Sequence, residues 1–231
     1  MKKALVALAI AALASTATAQ IAGSKHDLSS GWNSLAPRTT APLASCTFCH
    51  APHSANTAAP YDIAPLWNRR ASTATFLVKP TLATNTTPDL SAANIQAGHT
   101  LACLTCHDGV SDIGATFASG DAFTTTGNKI PVAGTAASPG SNIGSTYNGT
   151  IYVSPGGTNA DLRDDHPVGI PYPTTAPGFV AAATVKTTNG LLLYGPNNNV
   201  ECGSCHEPHS VSNGKFLRQP ANTLCALCHT K

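Results

Sequence analysis

CTFCHAPHS (46–54) and CGSCHEPHS (202–210) are one pattern, CxxCHxPHS, met twice in the same chain. Its decisive part is the pentad CxxCH. The pentad recurs at Cys103-Cys106-His107 and Cys225-Cys228-His229, so all eight cysteines of the 231 residues fall in four pentads. Two thiols separated by two residues can add to the two vinyl groups on one porphyrin edge. The histidine beside the second thiol then reaches the iron from one face, and CxxCH is the attachment signature of c-type haem. In an exported chain eight cysteines could instead form disulfides, and a lone CxxCH could belong to a zinc site. Neither alternative accounts for a histidine after every pair. The expectation is four covalently attached haem c groups. Their thioethers would form at Cys46, Cys49, Cys103, Cys106, Cys202, Cys205, Cys225 and Cys228, with proximal iron ligands His50, His107, His206 and His229.

The rest of the chain fits that expectation. MKKALVALAIAALASTATAQ carries Lys2 and Lys3, an apolar run from Ala4 to Ala14 and a small-x-small site at Ala17-Thr18-Ala19. This reads as a secretory signal peptide over 1–19, too short and wrongly flanked for a spanning helix. No later run is apolar and long enough to span a membrane. Residues 20–231 are then expected to form a single tetrahaem cytochrome c domain. Only 10% of the residues are charged and 6% aromatic. Turn formers interrupt stretches such as GTAASPGSNIGSTYNGT (134–150) before either a helical or a strand period is established. A chain so poor in large side chains needs another source of buried apolar area, and a porphyrin supplies it at about 25 cal/mol per Å². The expected fold is mostly irregular coil, with short helices at the pentads and a few short strands in the 110–200 region, wrapped around four haems. Without them the polypeptide is expected to be disordered. Loss of Lys2 and Lys3 leaves 11 basic residues against 11 acidic. With two propionates per haem the loaded protein is expected to be acidic, which argues against nucleic acid as a partner.

Sixth ligands come from what remains. Methionine is a common axial ligand, but the only one is Met1, inside the signal peptide. Beyond the four proximal histidines the chain has His26, His53, His99, His166 and His209. His53 and His209, three residues past His50 and His206, are too close to reach the opposite face of their own haem and can only reach a neighbouring iron. His53 is assigned to the Cys103/Cys106 haem and His209 to the Cys225/Cys228 haem, with the preceding proline stiffening each link. Surface loop histidines are the bland alternative. His166 in DDHPVG and His26 in SKHDLSSGW are further distal candidates. His99, in SAANIQAGHTLACL with Gly98 interrupting a possible helix, is the expected spare. Arg69, Arg70, Arg163 and Arg218 could pair with propionates or stand as surface charges. Trp32 and Trp67 read as packing residues. Asn85-Thr-Thr and Asn148-Gly-Thr match a glycosylation pattern.

The order KHDLSSGW, CTFCHAPHS, PLWNRR, CLTCHDG, DHPVG, VECGSCHEPHS, KFLRQPANTLCALCH resembles the multihaem c-type cytochromes of metal-reducing bacteria. Within them it is most similar to the tetrahaem OmcE-type outer-surface cytochromes. The resemblance implies a continuous chain of bis-histidine haems with His26, His53, His166 and His209 on the ligand motifs. It also implies assembly with other copies of the chain into an extracellular filament, one subunit supplying a distal histidine to the next. His26, near the mature N-terminus, is the candidate for that crossing. The implied function is extracellular electron transfer, a carrier and not an enzyme, with redox proteins or extracellular acceptors as partners. A monomeric periplasmic shuttle is the alternative. A multihaem oxyanion reductase would need an open iron position and a cluster of acid–base groups, and no pentad has a dense one beside it.

Overall fold

The computed structural model describes residues 21–29, 38–39, 45–58, 65–70, 72, 74–78, 95, 98–108, 111, 116–117, 132–133, 152–153, 159–162, 165–173 and 176–230. The expected signal peptide, Trp32, Arg163 and both glycosylation patterns lie outside these residues. In chain order the strands are β1 (Arg38–Thr39), β2 (Thr75–Leu77), β3 (Val132–Ala133), β4 (Tyr152–Val153), β5 (Asn159–Asp161), β6 (Ile170–Pro171) and β7 (Asn199–Val200). The helices are α1 (Thr100–His107), α2 (Ala182–Thr187), α3 (Cys202–Cys205) and α4 (Ala221–Leu224), with 3-10 turns at Ser45–Phe48 and Cys225–Leu227. Most of the described chain is turn and coil. Every pentad begins on or within a short helical element, because one turn is what brings two thiols separated by two residues to the same side.

The sheets are small. β1 pairs antiparallel with β3, β6 pairs antiparallel with β7, and the three-stranded sheet has the order β2-β5-β4, with β2 and β5 parallel. Strands also occur earlier than the 110–200 region expected, at β1 and β2. The reason for β2 is local: Phe76 is buried while Thr75 faces out, the alternation of a half-buried strand. α1 begins only after Gly98, which forms a bend where the sequence suggested an interruption.

Two aliphatic clusters form despite the composition. Ala74, Phe76, Ile95, Leu101, Leu104 and Leu162 pack together, with Trp67, Val78 and Val168 at their margin. This cluster packs α1, which carries the second pentad, against β2. Tyr172, Val185 and Leu191 form the other, bordered by Phe179, Val180, Leu224, Leu227 and Cys228, beneath the fourth pentad. Tyr172 is 3% exposed, and its hydroxyl lies 2.7 Å from the Val180 carbonyl and 2.9 Å from that of Cys228. Burial pushes that phenol up to about 12.

Elsewhere buried polar side chains do the joining. Asn68 Nδ2 donates to the Thr47 carbonyl at 2.6 Å, and Asn56 Nδ2 to the Arg69 carbonyl at 2.9 Å. Arg69, 2% exposed, donates from Nη2 to the Thr105 carbonyl at 3.0 Å, which ties the segment behind the first pentad to the helix of the second. Asp108, closing α1, accepts the backbone N–H of Ser111 at 2.7 Å and its hydroxyl at 2.6 Å, together with the hydroxyl of Ser72. Each such link satisfies backbone groups that a loop-rich interior would otherwise leave unpaired. Leu104, fully buried at the centre of the first cluster, is its keystone. Leu104→Ala should cost about 2–5 kcal/mol, read as a lower guanidinium midpoint of the protein.

Candidate functional site

Three of the four pentads are closed by the same backbone joint. After the first, Asn68 N–H donates to the Cys49 carbonyl, His50 and Trp67 form a bridge, and Ala51 N–H donates to the Leu66 carbonyl. After the third, Arg218 N–H donates to the Cys205 carbonyl, His206 bridges Leu217, and Glu207 N–H donates to the Phe216 carbonyl. At the fourth the return segment precedes the pentad. Val180 N–H donates to the Cys228 carbonyl, Phe179 bridges His229, and Thr230 N–H donates to the Gly178 carbonyl. In all three the residue paired beyond the histidine is left-handed: Leu66 (φ 57°), Phe216 (φ 56°) and Gly178 (φ 88°). That conformation costs a non-glycine residue about 1–2 kcal/mol, and its presence at Leu66 and Phe216 marks it as required by the joint.

The turn aims a carbonyl at the imidazole. Pro65 O lies 2.7 Å from His50 Nδ1, and Lys215 O lies 3.1 Å from His206 Nδ1. A histidine that donates from Nδ1 keeps Nε2 as a neutral acceptor, the state a metal needs, and the partner fixes the ring plane. His166 Nδ1 lies 3.0 Å from the Pro167 carbonyl, and His209 Nδ1 lies 3.4 Å from Glu207 Oε1. The second pentad is held otherwise: His107 ends α1, with Asp108 as C-cap.

Six histidines then face each other in three pairs. Ring centres are 6.0 Å apart for His26 and His107, 5.9 Å for His50 and His209, and 6.3 Å for His166 and His229. A coordinating imidazole nitrogen sits roughly 2 Å from its metal and the ring centre roughly 1 Å further back, so two rings across one ion lie roughly 6 Å apart. The observed gaps suit an ion between each pair. Among the described residues no group of three or more His, Cys, Asp or Glu is placed to hold a bare metal ion. A two-histidine set would fit an iron whose remaining donors came from a porphyrin, and each pair includes the histidine of a CxxCH. None of the eight cysteines is in a disulfide. The residues present therefore fit haem c.

Electrostatics agree with neutral ligands. Burial pushes His107 down to about 4, with His26 and His206 contributing, and burial likewise lowers His26, which is backed by the Pro208 carbonyl and stacked at 4.1 Å on Phe216. The attachment thiols adjoin in chain order. Burial, then nearby Cys106, pushes Cys49 up to about 12, and burial, then Cys228, pushes Cys205 up to about 11. Cys103 and Cys202 hydrogen-bond each other, which raises the former and lowers the latter.

The other expected site residues fall in these places. His209 lies opposite His50, ring centres 5.9 Å apart, at the first pentad and not at Cys225/Cys228. His53 is exposed and, among the described residues, makes no contact with the Cys103/Cys106 site. That place is taken by His26, which stacks on Phe216 of its own chain. His99 packs against Tyr194, ring centres 4.4 Å apart. Arg218 pairs with Glu207 at 2.9 Å and donates from Nε to the Gly203 carbonyl at 2.6 Å, while Arg70 lies over Phe117. Trp67 is set edge-on to His50. Two features went unread in the sequence. The return segments PLWN, KFLR and PGFV share only an apolar third residue, too faint a signal to find them. Gly203, inside the third pentad, is needed because a Cβ there would lie 2.2 Å from the Tyr194 hydroxyl.

Residues 195–231, spanning the third and fourth pentads, match the family of the doubled CXXCH motif. No curated protein matches the chain. The paired motifs bind haem c covalently and serve electron transfer. Two measurements probe the geometry. Gly178→Val should destabilise the protein by about 1–2 kcal/mol, seen in thermal unfolding. If the first pentad carries haem between His50 and His209, His209→Ala should turn one haem high-spin in the optical spectrum of the intact oxidised protein.

Proposed function

We propose that the chain carries four haem c groups, one per pentad, each held between two histidines, and conducts electrons as an exported polymer of its own copies. When bound, haem c supplies reversible one-electron exchange at its iron. The protein's contribution is placement: joints behind three of the four pentads, a facing histidine at three that would close the second axial position, and cysteine pairs that follow one another in chain order. The adjacency of Cys49 with Cys106, Cys103 with Cys202 and Cys205 with Cys228 supports a continuous path along the chain. Closed axial positions suit a carrier better than an enzyme, since a reductase must leave a place for substrate.

One observation carries the polymer. Three proximal histidines have a facing partner, whereas His206 is exposed and no ring faces it among the described residues. Its Nδ1 is already held by Lys215 O, so Nε2 is directed for a ligand. His53 is exposed in the repeat of the same motif and likewise uncommitted. On this reading His53 of a second copy completes the His206 site, and repetition of that contact generates an open filament. The crossing assigned to His26 from the resemblance passes to His53.

Electron microscopy of the secreted, haem-loaded protein is the test. Filaments with uniformly low-spin spectra are expected from the wild type. His53→Ala should give discrete particles in which one haem per chain is high-spin. Filaments that persist in the variant would exclude this contact. Discrete low-spin wild-type particles would favour a monomeric shuttle, and a high-spin wild-type site would reopen the reductase.

A further inference from the structure

Glu201 sits where two attachment sites meet. It is 1% exposed and caps α3, with a capping box to Ser204, whose hydroxyl accepts the Glu201 N–H at 3.0 Å. The same side chain reaches the start of α1. Its Oε2 accepts the Thr100 backbone N–H at 3.0 Å and the Thr100 hydroxyl, and Thr100 Oγ1 accepts the Cys202 N–H at 3.2 Å. One carboxylate thus stands at the N-termini of both helices, which carry Cys103 and Cys202, whose thiols touch. Neutral residues cap helices as well as or better than glutamate does, and burying a carboxylate is costly. Burial indeed raises its protonation range, against the pull of the Thr100 donors. A neutral cap would satisfy the backbone, so the charge is the feature that structure alone does not require.

We propose that Glu201 is a positioning residue that joins the second and third attachment sites and, by its buried negative charge, lowers the reduction potential of the two haems held there relative to the other two. The proposal rests on the haem reading of the pentads. An oxidised site carries one more positive charge than a reduced one, so a fixed anion beside it favours oxidation. Reduction adds one electron from the mediator at each site, and no bond forms or breaks. The junction between the first and second pentads holds both signs: the guanidinium of buried Arg69 acts on Cys49, and the carboxylate of buried Asp108 acts on His107. The other acidic group acting on Cys202 is Asp165, which is exposed. At an effective dielectric of about 20, a unit charge roughly 10 Å away changes a one-electron equilibrium about tenfold, which is about 59 mV.

Spectroelectrochemical titration of the haem-loaded protein in mildly alkaline buffer tests this, after haem per chain is measured for each protein. Glu201→Gln should raise two of the four one-electron steps by about tenfold in equilibrium and leave the other two in place. Thr100→Val keeps the carboxylate, ionised in this buffer, but removes the hydroxyl dipole that partly offsets its charge, and should move the same two steps down. Full haem loading with unmoved potentials in Glu201→Gln, or a uniform shift of all steps, would overturn the proposal. If Glu201→Gln does not load, Thr100→Val decides alone, a downward shift supporting the proposal and unchanged steps overturning it. A wild-type chain without haem would instead overturn the reading of the pentads.

Discussion

An imidazole that binds a metal through Nε2 keeps its proton on Nδ1, and at His50 and His206 that proton is held by a backbone carbonyl just before a left-handed residue. The arrangement explains why a chain with so little regular structure can fix ring positions. At His50 and His206 the carbonyl, the left-handed residue and two further backbone hydrogen bonds act as one joint. The strain at Leu66 and Phe216 is offset by what the joint satisfies: the carbonyl of the second cysteine, the amide after the histidine and the ring itself. Elsewhere that strain would have no compensation.

Energetically the molecule divides its labour. Two aliphatic clusters stabilise α1 and the C-terminal region, while between the first and second pentads buried Asn68, Arg69 and Asp108 link segments by hydrogen bonds. A core of that kind is specific in its partners, because each buried polar group is costly without its own acceptor. It also leaves the interior short of apolar area, consistent with a large planar cofactor forming part of it.

The pentads were legible because thioether chemistry demands a fixed cysteine spacing, which a linear sequence displays directly. So was the scarcity of regular structure, from glycine, proline and small polar residues. The pairing of distal histidines was not legible. His26 meets His107 and His209 meets His50 across long separations fixed by tertiary folding, and adjacency in sequence pointed elsewhere. The joints were hidden for a different reason. Their content is backbone geometry, and PLWN, KFLR and PGFV reach the same left-handed turn with leucine, phenylalanine and glycine in turn. Glu201 was passed over as a residue beside a motif, since nothing local announces that Thr100 is its partner.

The joint also has a bearing on how such a chain can change over time. Its return segment follows the pentad at His50 and His206 but precedes it at His229, and the connecting loops differ in length. Neither chain direction nor loop length therefore enters the geometry at the ring. Insertions, deletions and altered surface chemistry can accumulate between a pentad and its return segment without moving the imidazole, so the exterior can be rewritten by selection while the ring positions are kept.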